Sequence, residues 1–167
     1  MNYKTAYEKT AAFFHARPTL KKCLFVLNHA VTAMFFLAYA ALCTIAIVLF
    51  SKKDIANVFA VPALCLLFVT LLRVIINRPR PYSEDGANIR PLFHEKSKEK
   101  KSFPSRHVAC AFVIATVFFP FFPWAGIALL PLGVVMCCIR FALGLHYPTD
   151  LLAGALIGVF CGSFLLI

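Results

Sequence analysis

Arg140-Phe-Ala-Leu-Gly-Leu-His146-Tyr-Pro-Thr-Asp150 joins two apolar runs, with an arginine closing one and an aspartate opening the next. Charge is costly inside a bilayer, so ionisable groups at such places are functional candidates. His146 and Asp150 stand four residues apart, a spacing that one helical turn brings to the same face. A carboxylate there can hold an imidazole in one tautomer and stabilise its cation, as a nucleophilic or acid–base histidine requires. The plainer alternative is a histidine that bonds a backbone group at a helix end. The rest of the chain weighs between the two.

Composition around this stretch sets the class. Of 167 residues, 61% are hydrophobic and 14% charged, and the mean hydropathy is +0.81. About 20 apolar residues span a hydrocarbon core. Five runs read as spans: about 24–50, 55–77, 105 to 119–122, 125–143 and 149–167. Residues 1–22 place Lys4, Lys9, Arg17, Lys21 and Lys22 around Ala11-Ala12-Phe13-Phe14, which reads as an amphipathic interfacial helix stopped near Pro18. These residues are polar and carry no sign of a cleavable signal peptide. The expected fold is an all-α polytopic membrane bundle: about five transmembrane helices plus an N-terminal interfacial helix, in one domain over residues 1–167.

Arg78-Pro79-Arg80-Pro81 must leave the helix, because proline removes a donor and pushes its predecessor out of the α region. Residues 78–104 then form an active-site loop, and the run Glu95-Lys-Ser-Lys-Glu-Lys-Lys101 reads as a solvated stretch. The seven cysteines lack metal-ligand spacing and read as small buried hydrophobes. A net charge of +10 could attract nucleic acid, but the basic residues flank the spans. Lipid headgroups and phosphorylated ligands are the nearer partners, and no nucleic-acid partner is expected.

With five spans, the ends holding Arg73 and Arg80, Ser105 and His107, Arg140 and His146, and Asp150 fall on one membrane face. Arginines, histidines, a serine and one carboxylate suit a multiply charged oxyanion, since arginine forks bind phosphate bidentately and keep their charge. A metal site would want more carboxylates or a Cys/His cluster, so neither metal nor other cofactor is expected. One histidine can attack phosphorus while the other protonates the leaving oxygen. The ridge Gly154-x3-Gly158-x3-Gly162 permits close helix packing four residues beyond Asp150.

These residues resemble the type 2 phosphatidic acid phosphatase (PAP2) family, which shares a fold with vanadium haloperoxidases. The family pattern Lys-x6-Arg-Pro is met by Arg73-x6-Arg80-Pro81, with arginine in the lysine slot. Pro-Ser-Gly-His reads here Pro104-Ser105-Arg106-His107, and Ser-Arg-x5-His-x3-Asp reads Ile139-Arg140-x5-His146-x3-Asp150. The resemblance implies metal-independent, two-step hydrolysis of a lipid phosphomonoester or pyrophosphate. His146 would be the nucleophile, Asp150 its orienting partner and His107 the acid. Arg73, Arg80, Ser105 and Arg140 would bind the phosphoryl oxygens. Arg106 and Tyr82 are candidate headgroup contacts, Tyr82 at a lipid entrance. Arg78 and Arg90 read as loop or headgroup contacts, and His29 as a packing residue.

Fifteen of the seventeen lysines and arginines fall on the motif face, against Lys52 and Lys53 opposite. The positive-inside rule then makes that face cytoplasmic, in a bacterial plasma membrane. Bacterial members of the family commonly have six spans and an outward site, so a further re-entrant segment before Arg73 would reverse the assignment. The substrate readings are a phospholipid phosphate, such as phosphatidylglycerol phosphate or phosphatidic acid, or undecaprenyl pyrophosphate in lipid-carrier recycling. From other classes, an anion transporter is disfavoured because the charges cluster on one face, and a non-catalytic lipid-binding scaffold remains as a rival.

Overall fold

The structure is a computed structural model that describes residues 3–92 and 100–164. The described residues form six helices and no strands: α1 (Tyr3–His15), α2 (Pro18–Leu49), α3 (Lys52–Ile76), α4 (Arg106–Val117), α5 (Pro123–Ala142) and α6 (Pro148–Ser163). Pro18, Pro123 and Pro148 open α2, α5 and α6, where a missing N–H costs nothing. Ser51 caps α3, its hydroxyl accepting from the Asp54 amide at 3.3 Å. Asn77 ends α3 in the left-handed conformation, φ 43°, just before Arg78-Pro79.

α2, α3 and α5 are long and apolar enough to cross a membrane, while α4 and α6 are shorter apolar helices. The expected third span is thus a helix of 12 residues at the centre of the bundle. It packs against α6, α5 and α3, and the run from Val113 to Val117 is buried. An apolar helix of this length suits a protein core better than a lipid-facing span. Large apolar side chains elsewhere point outward, among them Leu37, Val48, Ile75, Trp124 and Phe160. So much exposed apolar surface on long helices belongs in lipid. This is an integral membrane protein. Of the seven cysteines Cys65 alone is fully buried, and Cys23 and Cys138 are exposed, because their helix faces turn outward rather than to the core.

The glycine ridge does what its spacing predicts. A Cβ on Gly158 would lie 2.5 Å from the Ala109 carbonyl oxygen and 2.8 Å from the Phe112 Cβ. α6 therefore meets the α4 backbone directly, and the Ser105 amide donates to the Asp150 carbonyl at 3.0 Å across the seam. We expect Gly158→Ala to cost about 1–3 kcal/mol by overpacking, read as a lower melting temperature in detergent.

α1 packs on the bundle by one stripe, with Tyr7 and Ala11 buried and its other side chains half-buried or exposed, as an amphipathic helix does. Its Tyr7 is buried, and the phenol donates to the Arg90 carbonyl at 3.1 Å and accepts from the Leu92 amide at 2.9 Å. Tyr3 lies with its ring 4.8 Å from that of Tyr147 and 5.9 Å from that of Phe141. The Tyr7 ring also lies against Gly144, whose φ of 75° is one that side chains rarely adopt. α1 thus braces both the loop after α3 and the turn before His146. Tyr7→Phe leaves the buried Leu92 amide without its acceptor, at an expected cost of about 1–3 kcal/mol. Thermal melting in detergent reads that loss directly.

Candidate active site

Asp150 is fully buried in the first turn of α6 and collects bonds from three separate segments. Its Oδ2 accepts from the Ser102 hydroxyl at 2.5 Å and from the Tyr147 amide at 3.0 Å, and lies 3.6 Å from His146 Nδ1. Its Oδ1 pairs with an Arg78 guanidinium nitrogen at 2.8 Å. The same nitrogen bonds the Thr149 hydroxyl at 2.8 Å, and the guanidinium sits 4.2 Å from the centre of the Tyr147 ring. Ser102 Oγ also stands 3.5 Å from His146 Nδ1. Nδ1 of the imidazole therefore faces the carboxylate and the serine, leaving Nε2 as the nitrogen turned from them.

The loop of residues 78–104 is closed at its ends, the Ser102 amide donating to the Arg78 carbonyl at 2.8 Å. Arg73, buried in the last turn of α3, donates to the Pro104 carbonyl at 2.8 Å and the Ser102 carbonyl at 3.3 Å. It thereby fixes the backbone that leads into Ser105 and α4. Ser105 is fully buried at the N-cap of α4, and its Oγ has no hydrogen-bond partner among the described residues. The α4 N-terminus beside it supplies amide donors and the positive end of a helix dipole. Arg80 and Arg140 are buried too, and their charges act on His146.

His107, one residue into α4, is exposed and lines two adjoining cavities. The smaller, about 130 Å³, also takes in Arg140, and so joins His107 to the arginine that acts on His146. The larger, about 260 Å³, is apolar, lined by Phe35, Phe36, Leu66, Ile114 and Met136 with Arg106 among them. Tyr82 departs from expectation: it is buried, not at an entrance, because its hydroxyl accepts from Arg80 at 3.3 Å. His29 departs too. It is exposed, with its ring edge-on to Phe25 at 4.5 Å, and lines the smaller cavity. Part of the charge run, residues 95–99, lies outside the described residues, and Lys100 and Lys101 are exposed.

Residues 54–167 match the PAP2 superfamily profile. The chain belongs to the PAP2 superfamily. It is 33% identical over 97 residues to the lipid A 4'-phosphatase of Bacteroides thetaiotaomicron, an overlap of 56% of this chain and 43% of that protein. The chain thus spans less than half the length of this curated relative. Among solved structures, LpxE of Aquifex aeolicus superposes with a TM-score of 0.71 at 26% identity, over 95% of this chain and 93% of that one. A transmembrane PAP2 type phosphatidylglycerolphosphate phosphatase from Bacillus subtilis superposes with a TM-score of 0.71 at 23% identity, over 98% and 82%. This second likeness is one of fold.

In this PAP2 protein two site residues escaped the sequence reading, Arg78 and Ser102. Arg78 was expected to be a loop or headgroup contact, yet its side chain pairs with Asp150. Its position two residues before Arg80, in an Arg-Pro-Arg-Pro turn, was the one available signal. Ser102 sits in a polar loop with nothing in its neighbourhood to mark it.

Burial pushes the His146 pKa down from 6.5 to about 4; the charges of Arg80 and Arg140 add to this, and Asp150 opposes it. The imidazole is therefore neutral at neutral pH. A folded-state pKa below the unfolded one means stability is lost as pH falls from about 6.5 toward about 4. Wild type should accordingly melt at lower temperature as the pH drops through that window. His146→Gln should show a shallower decline, and identical profiles would contradict a neutral buried imidazole.

Proposed function

We propose that this PAP2 protein is a metal-independent lipid phosphatase, acting on a phosphomonoester or pyrophosphate of a membrane lipid through a phosphohistidine intermediate. The observation that carries the reading is the buried Asp150–Ser102–His146 cluster, with Nδ1 held on the carboxylate side; the charges of the buried Arg80 and Arg140 act on the ring. Nε2 of His146 attacks phosphorus, and the bond to the leaving oxygen breaks. His107 gives that oxygen its proton. The imidazole, now bonded through Nε2, carries positive charge that Asp150 stabilises. Water then attacks phosphorus, the Nε2–P bond breaks to return His146 as neutral imidazole, His107 takes up the water's proton, and inorganic phosphate leaves.

Charge on the equatorial oxygens is met by Arg80 and Arg140, by the unpartnered Ser105 hydroxyl and by the α4 N-terminus. Arg73 contributes its charge and holds the backbone at Ser102 and Pro104. Isoleucine at 139 removes a hydroxyl that the family pattern has there, and Arg106 stands where the pattern has glycine. A phospholipid such as phosphatidylglycerol phosphate or phosphatidic acid suits a site that opens to an apolar cavity. Undecaprenyl pyrophosphate is the alternative substrate. A basic N-terminal segment packed on the site's own face favours a cytoplasmic site in a bacterial plasma membrane.

Phosphate release in detergent micelles, with chelator present, tests this reading. Wild type should hydrolyse at least one of the three lipids, and His146→Ala should not. Activity that vanished in chelator and returned only with a divalent cation would sink the metal-independent mechanism. No release from any of them by folded protein would favour a lipid-binding scaffold.

A further inference from the structure

A membrane-embedded asparagine lies beside the site and is not used by the chemistry above. Asn28 is on α2, ten residues after its first residue, Pro18. It is 8% exposed, and its Oδ1 is buried with no hydrogen-bond partner among the described residues. An unsatisfied buried amide oxygen costs about 1–3 kcal/mol, so its place calls for a donor. The side chain lines the smaller cavity, whose walls include His107 and Arg140. Thr32, on the same wall, spends its hydroxyl on the Asn28 backbone carbonyl at 2.7 Å. Asn28 and His29 are therefore the polar side chains that α2 offers to this cavity.

The placement defines what Asn28 would meet. In the proposed reaction His107 protonates the leaving oxygen, and His107 lies where the smaller cavity meets the larger, apolar one. The first atoms of the leaving group then occupy the smaller cavity, with hydrocarbon running on toward Phe35, Phe36 and Met136. A hydroxyl on the carbon next to the one that bears the leaving oxygen is a donor of the kind that Oδ1 lacks. A bare alkyl or polyprenyl leaving group would bury Oδ1 unsatisfied.

We infer that Asn28 is a specificity-determining residue that accepts a hydrogen bond from a leaving-group hydroxyl, so that the preferred substrates are lipid phosphates whose phosphate sits on a polyhydroxylated unit. The inference rests on the phosphatase reading and deepens it. A pocket built to bond a hydroxyl discriminates strongly against the analogue that lacks it.

The test pairs a residue change with a substrate change. kcat/KM is measured for phosphatidylglycerol phosphate and for its analogue in which the free hydroxyl of the leaving glycerol is replaced by hydrogen. Phosphatidic acid serves as a second phosphatase substrate. Wild type should prefer the hydroxylated lipid by about tenfold or more, and Asn28→Leu should erase the preference. The ratio is taken within one preparation, so a smaller folded fraction in the variant does not affect it. A wild type without preference, or an Asn28→Leu that keeps the preference, overturns the inference. Hydrolysis of phosphatidic acid without hydrolysis of phosphatidylglycerol phosphate overturns it too, while leaving the phosphatase reading intact. Undecaprenyl pyrophosphate is run alongside: its hydrolysis without that of the other lipids overturns the inference and keeps the phosphatase reading, and release from none of the four by folded protein removes both.

Discussion

His146→Ala is expected to reduce phosphate release by about 10⁴-fold or more, since on the proposed mechanism it removes the nucleophile and with it the covalent route. The remaining arginines would still bind a phosphate, so substrate affinity should change much less than turnover. The same reasoning gives a chemical signature. Brief mixing of wild type with a ³²P-labelled substrate and quenching in alkali should trap acid-labile label on the chain, and His146→Ala should trap none. The alanine leaves a cavity in a buried turn, so His146→Gln belongs beside it as a better-packed variant. Activity in either variant within about tenfold of wild type would assign the nucleophile elsewhere.

Asp150→Asn is the second large effect, expected to lower kcat by about 10³–10⁴-fold while preserving shape. Three contacts explain why a neutral isostere is not equivalent. Asp150 accepts from Ser102 and Tyr147 on one oxygen and pairs with Arg78 on the other. An amide cannot accept at both positions, so one of these donors would face an NH₂ group. It also withdraws the negative charge that would stabilise a phosphorylated imidazole. The variant carries a structural penalty as well, because Arg78 keeps its charge beside a neutral group. With the Arg78 side chain 34% exposed, water screens that charge and limits the penalty. Measuring melting temperature and kcat on the same preparations separates the two. A fall in kcat that tracked unfolding alone would reduce Asp150 to a structural role.

Arg78 and Ser102 show where reading along the chain stops. Their bonds to Asp150 join residues 72 and 48 positions apart. Neither residue has a periodic pattern around it, because both lie in loop. A serine or arginine in a polar loop is chemically ordinary until the fold gives it a neighbour. His146 and Asp150, which the fold brings together, were legible for the opposite reason. They sit at the edges of apolar runs, where charged or titratable groups are costly and therefore conspicuous.

The membrane class, the helical architecture, the glycine seam and the gathering of charged residues on one face could all be read along the chain. These follow from run length, spacing and composition, which are local properties of the chain. Prolines likewise mark helix boundaries without reference to anything distant. Packing across the fold is what makes α4 a short central helix, buries Tyr82 on Arg80, and sets α1 against the loop and the turn before His146. It alone placed Asn28 in the wall of the cavity beside His107. Each of these depends on which surfaces meet across long separations in sequence. Hydrophobic periodicity says that a face is buried, and only packing says against what.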